Sequence, residues 1–362
     1  MNSKIEKIYS VIRDMNLTGI ILTDGYNIHY LTGYKGHTGM VLILDSEKFI
    51  LTDSRYTEQA QKEAEDFICV DIGMNGYSKT VKRLIDEKYN VATNINLGFE
   101  DKSISYSQFK ALSDTLGEMV HLAELGDEIN KLRMVKTQDE IDLIAKAESI
   151  GDEAFNHIIN YIEVGMTEKQ VALELEYVMR SLGADGLSFD TIVASGANSS
   201  MPHAVPTDKV IEEGDFVTLD FGCIYKGYCS DMTRTVYMGD ELYEKQLEVY
   251  TTVLNAQKEA LKVIKPGMVC SDIDKVARDY IADAGYGEYF GHGLGHGVGL
   301  YIHEEPRFSQ KCDTILEPGM VLSVEPGIYL PGEFGVRIED LVVVTEDGYE
   351  NLANSPKVLI LM

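Results

Sequence analysis

The segment Phe216-Val217-Thr218-Leu219-Asp220-Phe221 places a carboxylate inside an otherwise apolar strand, and few folds can bury such a strand without giving the acid a partner. An unpaired buried carboxylate is disfavoured strongly enough that it protonates, pairs with a cation or binds a metal. Asp231 follows eleven positions later, across a short turn around Lys226 and Gly227, where antiparallel pairing would return it beside Asp220. Two carboxylates would then share one site. Their repulsion would raise a pKa unless a cation lay between them, which makes a divalent metal the economical solution. Taken alone, an aspartate in a hairpin is more often an exposed turn residue or a partner for a cation such as Arg234.

A second cluster runs from Gly291 to Pro306, where three of the eight histidines, His292, His296 and His303, alternate with glycines. Glycine lets the backbone approach another group closely, and neutral imidazole is the commonest nitrogen ligand of transition metals. The segment is a poor candidate for a phosphate loop, because no Lys-Ser or Lys-Thr follows and histidines occupy the loop. One histidine by itself is more often structural, but three together change that balance. The third cluster repeats the first. Glu325 ends the apolar run 321–324, and Glu339 lies in the run 335–344, where period-two geometry sends it to the same face as Arg337. An exposed Arg337–Glu339 pair would contribute little and would leave Glu325 unexplained. Four carboxylates with one of the imidazoles supply the charge to balance two divalent cations. Oxygen-rich ligands favour manganese, cobalt or iron over a thiolate-type zinc site; manganese is the expected metal, with cobalt, iron or zinc as alternatives.

The 362 residues suggest two domains. Residues 1–125 alternate short apolar runs (19–22, 40–44, 49–51, 67–70, 96–99) with helical stretches (5–15, 55–64, 81–87, 106–116), which predicts an α/β layer with a mostly parallel sheet. The alternation stops near 123, and a long helical pattern starts at Thr137, so the second domain is expected over 126–362. There a helix should follow the capped start at Thr167 and run to Gly183. Two helices near 241–265 and 271–284 separate the hairpin-like units at 216–237 and 321–344, which suggests an internal duplication without a clear sequence repeat.

The excess of 59 acidic over 32 basic residues, a formal charge of -27, repels nucleic acid and anionic lipid. Cys69, Cys223, Cys229, Cys270 and Cys312 lack Cys-x-x-Cys spacing and are expected to be reduced packing residues. No signal-peptide core or membrane-length apolar run is present, so the cytoplasm is the expected compartment.

The ordered motifs resemble the Xaa-Pro peptidase branch of the pita-bread metallopeptidases, which includes aminopeptidase P and prolidase. They are Asp190 to Ser195 leading to Pro202-His203, Asp220-Phe221-Gly222, Ser230-Asp231-Met232-Thr233-Arg234-Thr235, Gly291 to His296, His303-Glu304, Glu325-Pro326-Gly327 and Arg337-Ile338-Glu339. The resemblance spans essentially the whole chain. It implies a creatinase-like α/β N-terminal domain, including Tyr30-Leu31-Thr32-Gly33-Tyr34, and an α+β pita-bread catalytic domain with a pseudo-two-fold duplication. Asp220 would bind one metal, His296 and Glu325 the other, and Asp231 and Glu339 both. His296 is assigned because the family's metal histidine precedes a substrate histidine by seven positions, as His296 precedes His303. His203, His292, His303 and Arg337 then fall to the substrate side. Hydrolysis would proceed by a metal-bridging hydroxide, with Glu325 carrying a proton and His203 and His303 steadying the developing charge. The N-terminal domain covers the active site and joins subunits in relatives, which implies a homodimer.

The activity expected from this resemblance is removal of the first residue from peptides with proline in second position. One alternative is a prolidase restricted to Xaa-Pro dipeptides, which needs a cation, Arg337 or a lysine, for the free proline carboxylate. Another is a metal-free creatinase-like hydrolase or a binding protein on the same fold.

Overall fold

A computed structural model describes residues 3–89 and 94–362, and the chain divides into two compact units, Met1–Arg133 and Met134–Met362. The first is built on a six-stranded sheet in the order Ile68–Asp71, Glu47–Thr52, Met40–Leu44, Gly19–Leu22, Ile95–Phe99, Val120–Glu124. The apolar runs are continuous because both faces are covered. Ile20, Val41 and Ile43 pack into one core, while Ile21, Leu42 and Leu44 pack into another. The sheet is mostly parallel, as expected, with one reversed strand: Met40–Leu44 runs antiparallel to both neighbours, while the remaining pairings are parallel. The cause is local: Asp45, at φ 49°, reverses the chain in a tight turn before Glu47–Thr52, too short for the crossover that parallel strands need. The helix Gly25–Thr32 has no counterpart among the expected elements; Asp24 caps it by accepting from the backbone N–H of Tyr26 and Asn27.

In the second unit two helix pairs flank the β structure. Gln138–Ile158 and Glu168–Ser181 share a core with Val217, Leu219 and Phe221, while Glu244–Val263 and Cys270–Asp283 share one with Leu322, Val324 and Val342. Thr167 caps the second helix in a reciprocal box with Gln170. The expected duplication is visible in the backbone. Gly165 N–H donates to Ile211 O (2.9 Å), Ile211 N–H to Met166 O (2.8 Å), Glu168 N–H to Lys209 O (3.1 Å) and Lys169 N–H to Thr207 O (3.2 Å). In the other half Gly267, Leu316, Cys270 and Ser271 donate in the same pattern to Leu316 (2.9 Å), Met268 (2.8 Å), Thr314 (2.9 Å) and Cys312 (3.0 Å). Each ladder ties the start of a helix to the segment beside one half of the site.

Candidate metal centre

The strand Phe216–Phe221 pairs antiparallel with Met232–Tyr237, setting Asp220 opposite Thr233. Asp231 lies just beyond this pairing, in a break after the short strand Tyr228–Cys229. Glu339 occupies the equivalent break between Phe334–Arg337 and Asp340–Val344. The runs expected as single strands over 229–237 and 335–344 are therefore interrupted. Other groups satisfy the backbone there: Asp231 N–H donates to Glu148 Oε2 at 3.2 Å and Glu339 N–H to Thr233 O at 3.1 Å.

His296 enters from the strand Gly295–Gly297. A Cβ on Gly295 would lie 1.9 Å from Ser323 O, so only glycine permits this approach of the two strands. His296 Nδ1 sits 3.1 Å from Gly297 O. A carbonyl only accepts, so Nδ1 carries the hydrogen and Nε2 the lone pair. That lone pair stands 3.4 Å from Asp231 Oδ2 and 3.4 Å from Glu325 Oε1. Burial, and next the nearby His303, pull the His296 pKa down to about 3, which keeps the ring neutral.

Asp231, His296 and Glu339 offer ligand atoms that all lie within 4.8 Å of one another. Glu325 reaches this group through its contact with His296, while Asp220 is held by Arg337, whose Nη2 donates to Asp220 Oδ2 at 2.5 Å. Two atoms in this set, Asp220 Oδ1 and Glu339 Oε1, are buried with no hydrogen-bond partner among the described residues. Burial first, then neighbouring carboxylates, push the pKa values of Asp231 and Glu339 upward. Unpartnered oxygens, converging acids and an imidazole lone pair aimed at them form an anionic donor set of the kind that divalent metal satisfies, so these residues fit such an ion.

All nine residues singled out in the sequence line one cavity of about 530 Å³: Asp220, Asp231, His296, Glu325, Glu339, His203, His292, His303 and Arg337. They differ in how committed they are. His292 is engaged at both nitrogens, with Gly293 O at 2.8 Å and the Tyr329 hydroxyl at 2.9 Å. Arg337 also donates to Tyr329, Thr233 and Pro202. His303 stacks edge-on against His296 with ring centroids 4.6 Å apart, and its pKa is lowered by burial, then by Arg307 and His203. His203 makes no hydrogen bond among the described residues.

Sequence reasoning missed Arg307 and Tyr329. Tyr329 belongs to an extra strand, Gly327–Leu330, paired with Phe334–Arg337. Arg307 lies on Glu304–Phe308, and its Nη2 donates to His303 O at 2.9 Å. The spacing of four residues after His303 was the only available signal.

The raised carboxylates make the metal-free protein pH-sensitive. Their folded pKa values exceed the unfolded ones, so they stabilise the fold while protonated and that contribution is lost as pH rises through the folded values. His296 and His292, lowered to about 3 and about 4, act oppositely: they weaken the fold as pH falls below about 6.5. Above that value only the acids remain. The melting temperature of chelator-treated protein is expected to fall as pH rises from about 6.5 to about 8.5, and excess Mn2+ should flatten this slope. Equal slopes with and without metal in differential scanning calorimetry would contradict the shared charge of the cluster.

Residues 142–346 match the Metallopeptidase family M24 and residues 4–135 the Creatinase/Prolidase N-terminal domain. The chain therefore belongs to metallopeptidase family M24, a metal-dependent class of hydrolases, with a creatinase-type N-terminal domain and a pita-bread catalytic fold. Among solved structures it is similar to an Xaa-Pro dipeptidase from Bacillus anthracis, at 44% identity and a TM-score of 0.94, covering 99% of both chains. It is also similar to an X-Pro aminopeptidase from Thermotoga maritima, at 38% identity and a TM-score of 0.89, covering 98% of this chain and 100% of that one. A curated relative, the Xaa-Pro dipeptidase of Pyrococcus furiosus, is 38% identical over 361 residues, 99% of this chain and 100% of the relative. Among the described residues no helix is long and apolar enough to cross a membrane.

Proposed function

We propose that this chain is a metal-dependent Xaa-Pro dipeptidase, a prolidase, in which Asp220, Asp231, His296, Glu325 and Glu339 hold two divalent cations, manganese first among the candidates. The dipeptide reading replaces the aminopeptidase expectation because several relatives similar over nearly the full chain carry the dipeptidase name. The observation that carries it is the cation Arg307 in the cavity beside His303. Its Nε lies 3.6 Å from Glu305 Oε1 and its Nη2 donates to His303 O, while no hydrogen bond of its Nη1 is found among the described residues. The Arg337 guanidinium, expected for the same task, is already committed to Asp220, Tyr329, Thr233 and Pro202.

When bound, the two cations supply Lewis acidity and lower the pKa of water at the site. Glu325 Oε1 accepts from Ser323 Oγ at 3.3 Å and faces the same point as the His296 lone pair, which leaves Oε2 to take a proton from the attacking water and deliver it to the proline nitrogen. Burial lowers the His303 pKa, which favours the neutral ring, and its N–H donates to the developing oxyanion, with His203 supporting the leaving nitrogen. An Xaa-Pro bond has no N–H, so recognition falls on the two termini and the proline ring. A homodimer in the cytoplasm completes the reading, and light scattering on the purified protein tests the dimer.

The deciding experiment compares Ala-Pro with Ala-Pro-Ala on metal-free protein resupplied with single metals. Ala-Pro should be favoured in kcat/KM by at least about tenfold, a difference of roughly 1.4 kcal/mol; preference for the tripeptide would restore the aminopeptidase reading. Arg307→Gln should raise KM for Ala-Pro by about tenfold and leave Ala-Pro amide unchanged. Equal effects on the acid and the amide would remove Arg307 as the carboxylate's partner.

A further inference from the structure

Glu168, the first residue of the helix Glu168–Ser181, is fully buried, yet it lies outside the group of residues lining the cavity. Its carboxylate is saturated with donors. Oε1 accepts from Ser195 N–H at 2.7 Å, Ser195 Oγ at 2.9 Å and Asn198 Nδ2 at 3.0 Å. Oε2 accepts from Thr207 N–H at 3.0 Å, Thr207 Oγ1 at 2.7 Å and Asn198 Nδ2 at 3.2 Å. Ser195 and Thr207 are the two ends of the loop that carries His203. One carboxylate therefore closes that loop like a clasp.

The far side of the loop is tied to the opposite strand. Gly335 N–H donates to Ser199 Oγ at 2.8 Å, and Arg337 Nη1 donates to Pro202 O at 3.3 Å. His203 itself has no hydrogen bond among the described residues, so its place beside His292 and His303 depends on the backbone that bears it. The other half of the duplication shows that the clasp is a choice of side chain and not a requirement of the ladder. There Cys270 stands where Glu168 does and Cys312 where Thr207 does, on the same backbone hydrogen bonds.

We propose that Glu168 is the positioning residue for His203, an inference that rests on the role given to His203 in the proposed reaction. A carboxylate can accept at both oxygens; an amide in its place presents NH2 to a set of donors and opens one side of the clasp. The loop then samples positions in which the imidazole misses the reacting nitrogen, and misplacement of about 1 Å is enough to slow a reaction by up to about a hundredfold.

The test combines Glu168→Gln, His203→Ala and the double variant in the metal-loaded enzyme, with Ala-Pro hydrolysis, bound metal and amide hydrogen exchange over residues 196–207 as readouts. Glu168→Gln should lower kcat by about 10- to 100-fold, leave metal content unchanged and speed exchange in the loop. In the His203→Ala background the same change should have no further effect on kcat. Multiplying losses in the double variant, or unchanged exchange, would overturn the proposal. Full activity in His203→Ala alone would instead remove the role of His203, and the exchange data would then decide the clasp by themselves. Thr207→Val keeps the backbone donor and removes only the hydroxyl, so a smaller loss that also vanishes with His203→Ala is expected even if Glu168→Gln folds poorly.

Discussion

Asp231→Asn is expected to lower Ala-Pro hydrolysis at least about a thousandfold, the equivalent of roughly 4 kcal/mol of transition-state stabilisation, while the metal-free fold becomes more stable. The two effects have one cause. Asp231 sits 4% exposed among Glu339, Asp220 and Glu325, which all push its pKa up after burial has done so. Without cations it is a destabilising charge, and its near-isosteric amide relieves that repulsion by about 1–3 kcal/mol. With cations its charge would be balanced, and its Oδ2, 3.4 Å from the His296 lone pair, is placed to serve as a ligand in the proposed centre. Elemental analysis should show lost metal, and urea unfolding of chelator-treated protein should show a higher midpoint than the parent chain. Wild-type metal content with full activity would take Asp231 out of the centre.

How much of this could be read from the chain depends on the type of element. Asp220 was conspicuous because strands expose their logic: an acid flanked by Leu219 and Phe221 has nowhere to go but inward. The same holds for Glu325 after Val324. Glu168 was invisible for the opposite reason. An acidic residue in the first turn of a helix favours the helix dipole wherever it points, so its presence after Thr167 reads as a capping feature, and its burial follows only from the loop folded over it. Glu148, fully buried behind the Asp231 backbone, looks in sequence like one more charge on an amphipathic helix. In the N-terminal unit the apolar runs announced strands but not their direction, because direction there was set by Asp45 and the two-residue reversal between Leu44 and Glu47. The duplication shows the same limit. Gly165-Met166 and Gly267-Met268 are its faint trace in sequence, while the hydrogen-bond ladder repeats clearly.

Arg337→Met is expected to destabilise the metal-free protein by about 3–5 kcal/mol, the range for breaking a buried ion pair from one side, and to slow hydrolysis about a hundredfold. The guanidinium is 3% exposed and spreads its donors over Asp220 Oδ2 at 2.5 Å, Tyr329 Oη at 2.9 Å and Thr233 Oγ1 at 3.1 Å. Thr233 Oγ1 in turn donates to Glu339 Oε2 at 2.7 Å. One planar cation thus sets the orientation of acids in both halves of the duplication, leaving Asp220 Oδ1 and Glu339 Oε1 without a hydrogen-bond partner among the described residues. Lysine cannot replace it, because a single ammonium on a flexible stem does not span three acceptors in a fixed fork. Two consequences separate this reading from simple loss of packing. Saturating Mn2+ should narrow the stability gap between Arg337→Met and the parent, since cations compensate Asp220 from the other side. Adding Asp220→Asn to Arg337→Met should recover part of the metal-free stability, because the stranded charge is gone. A gap below about 1 kcal/mol, or one that neither metal nor the second substitution changes, would mean that Asp220 does not depend on the guanidinium.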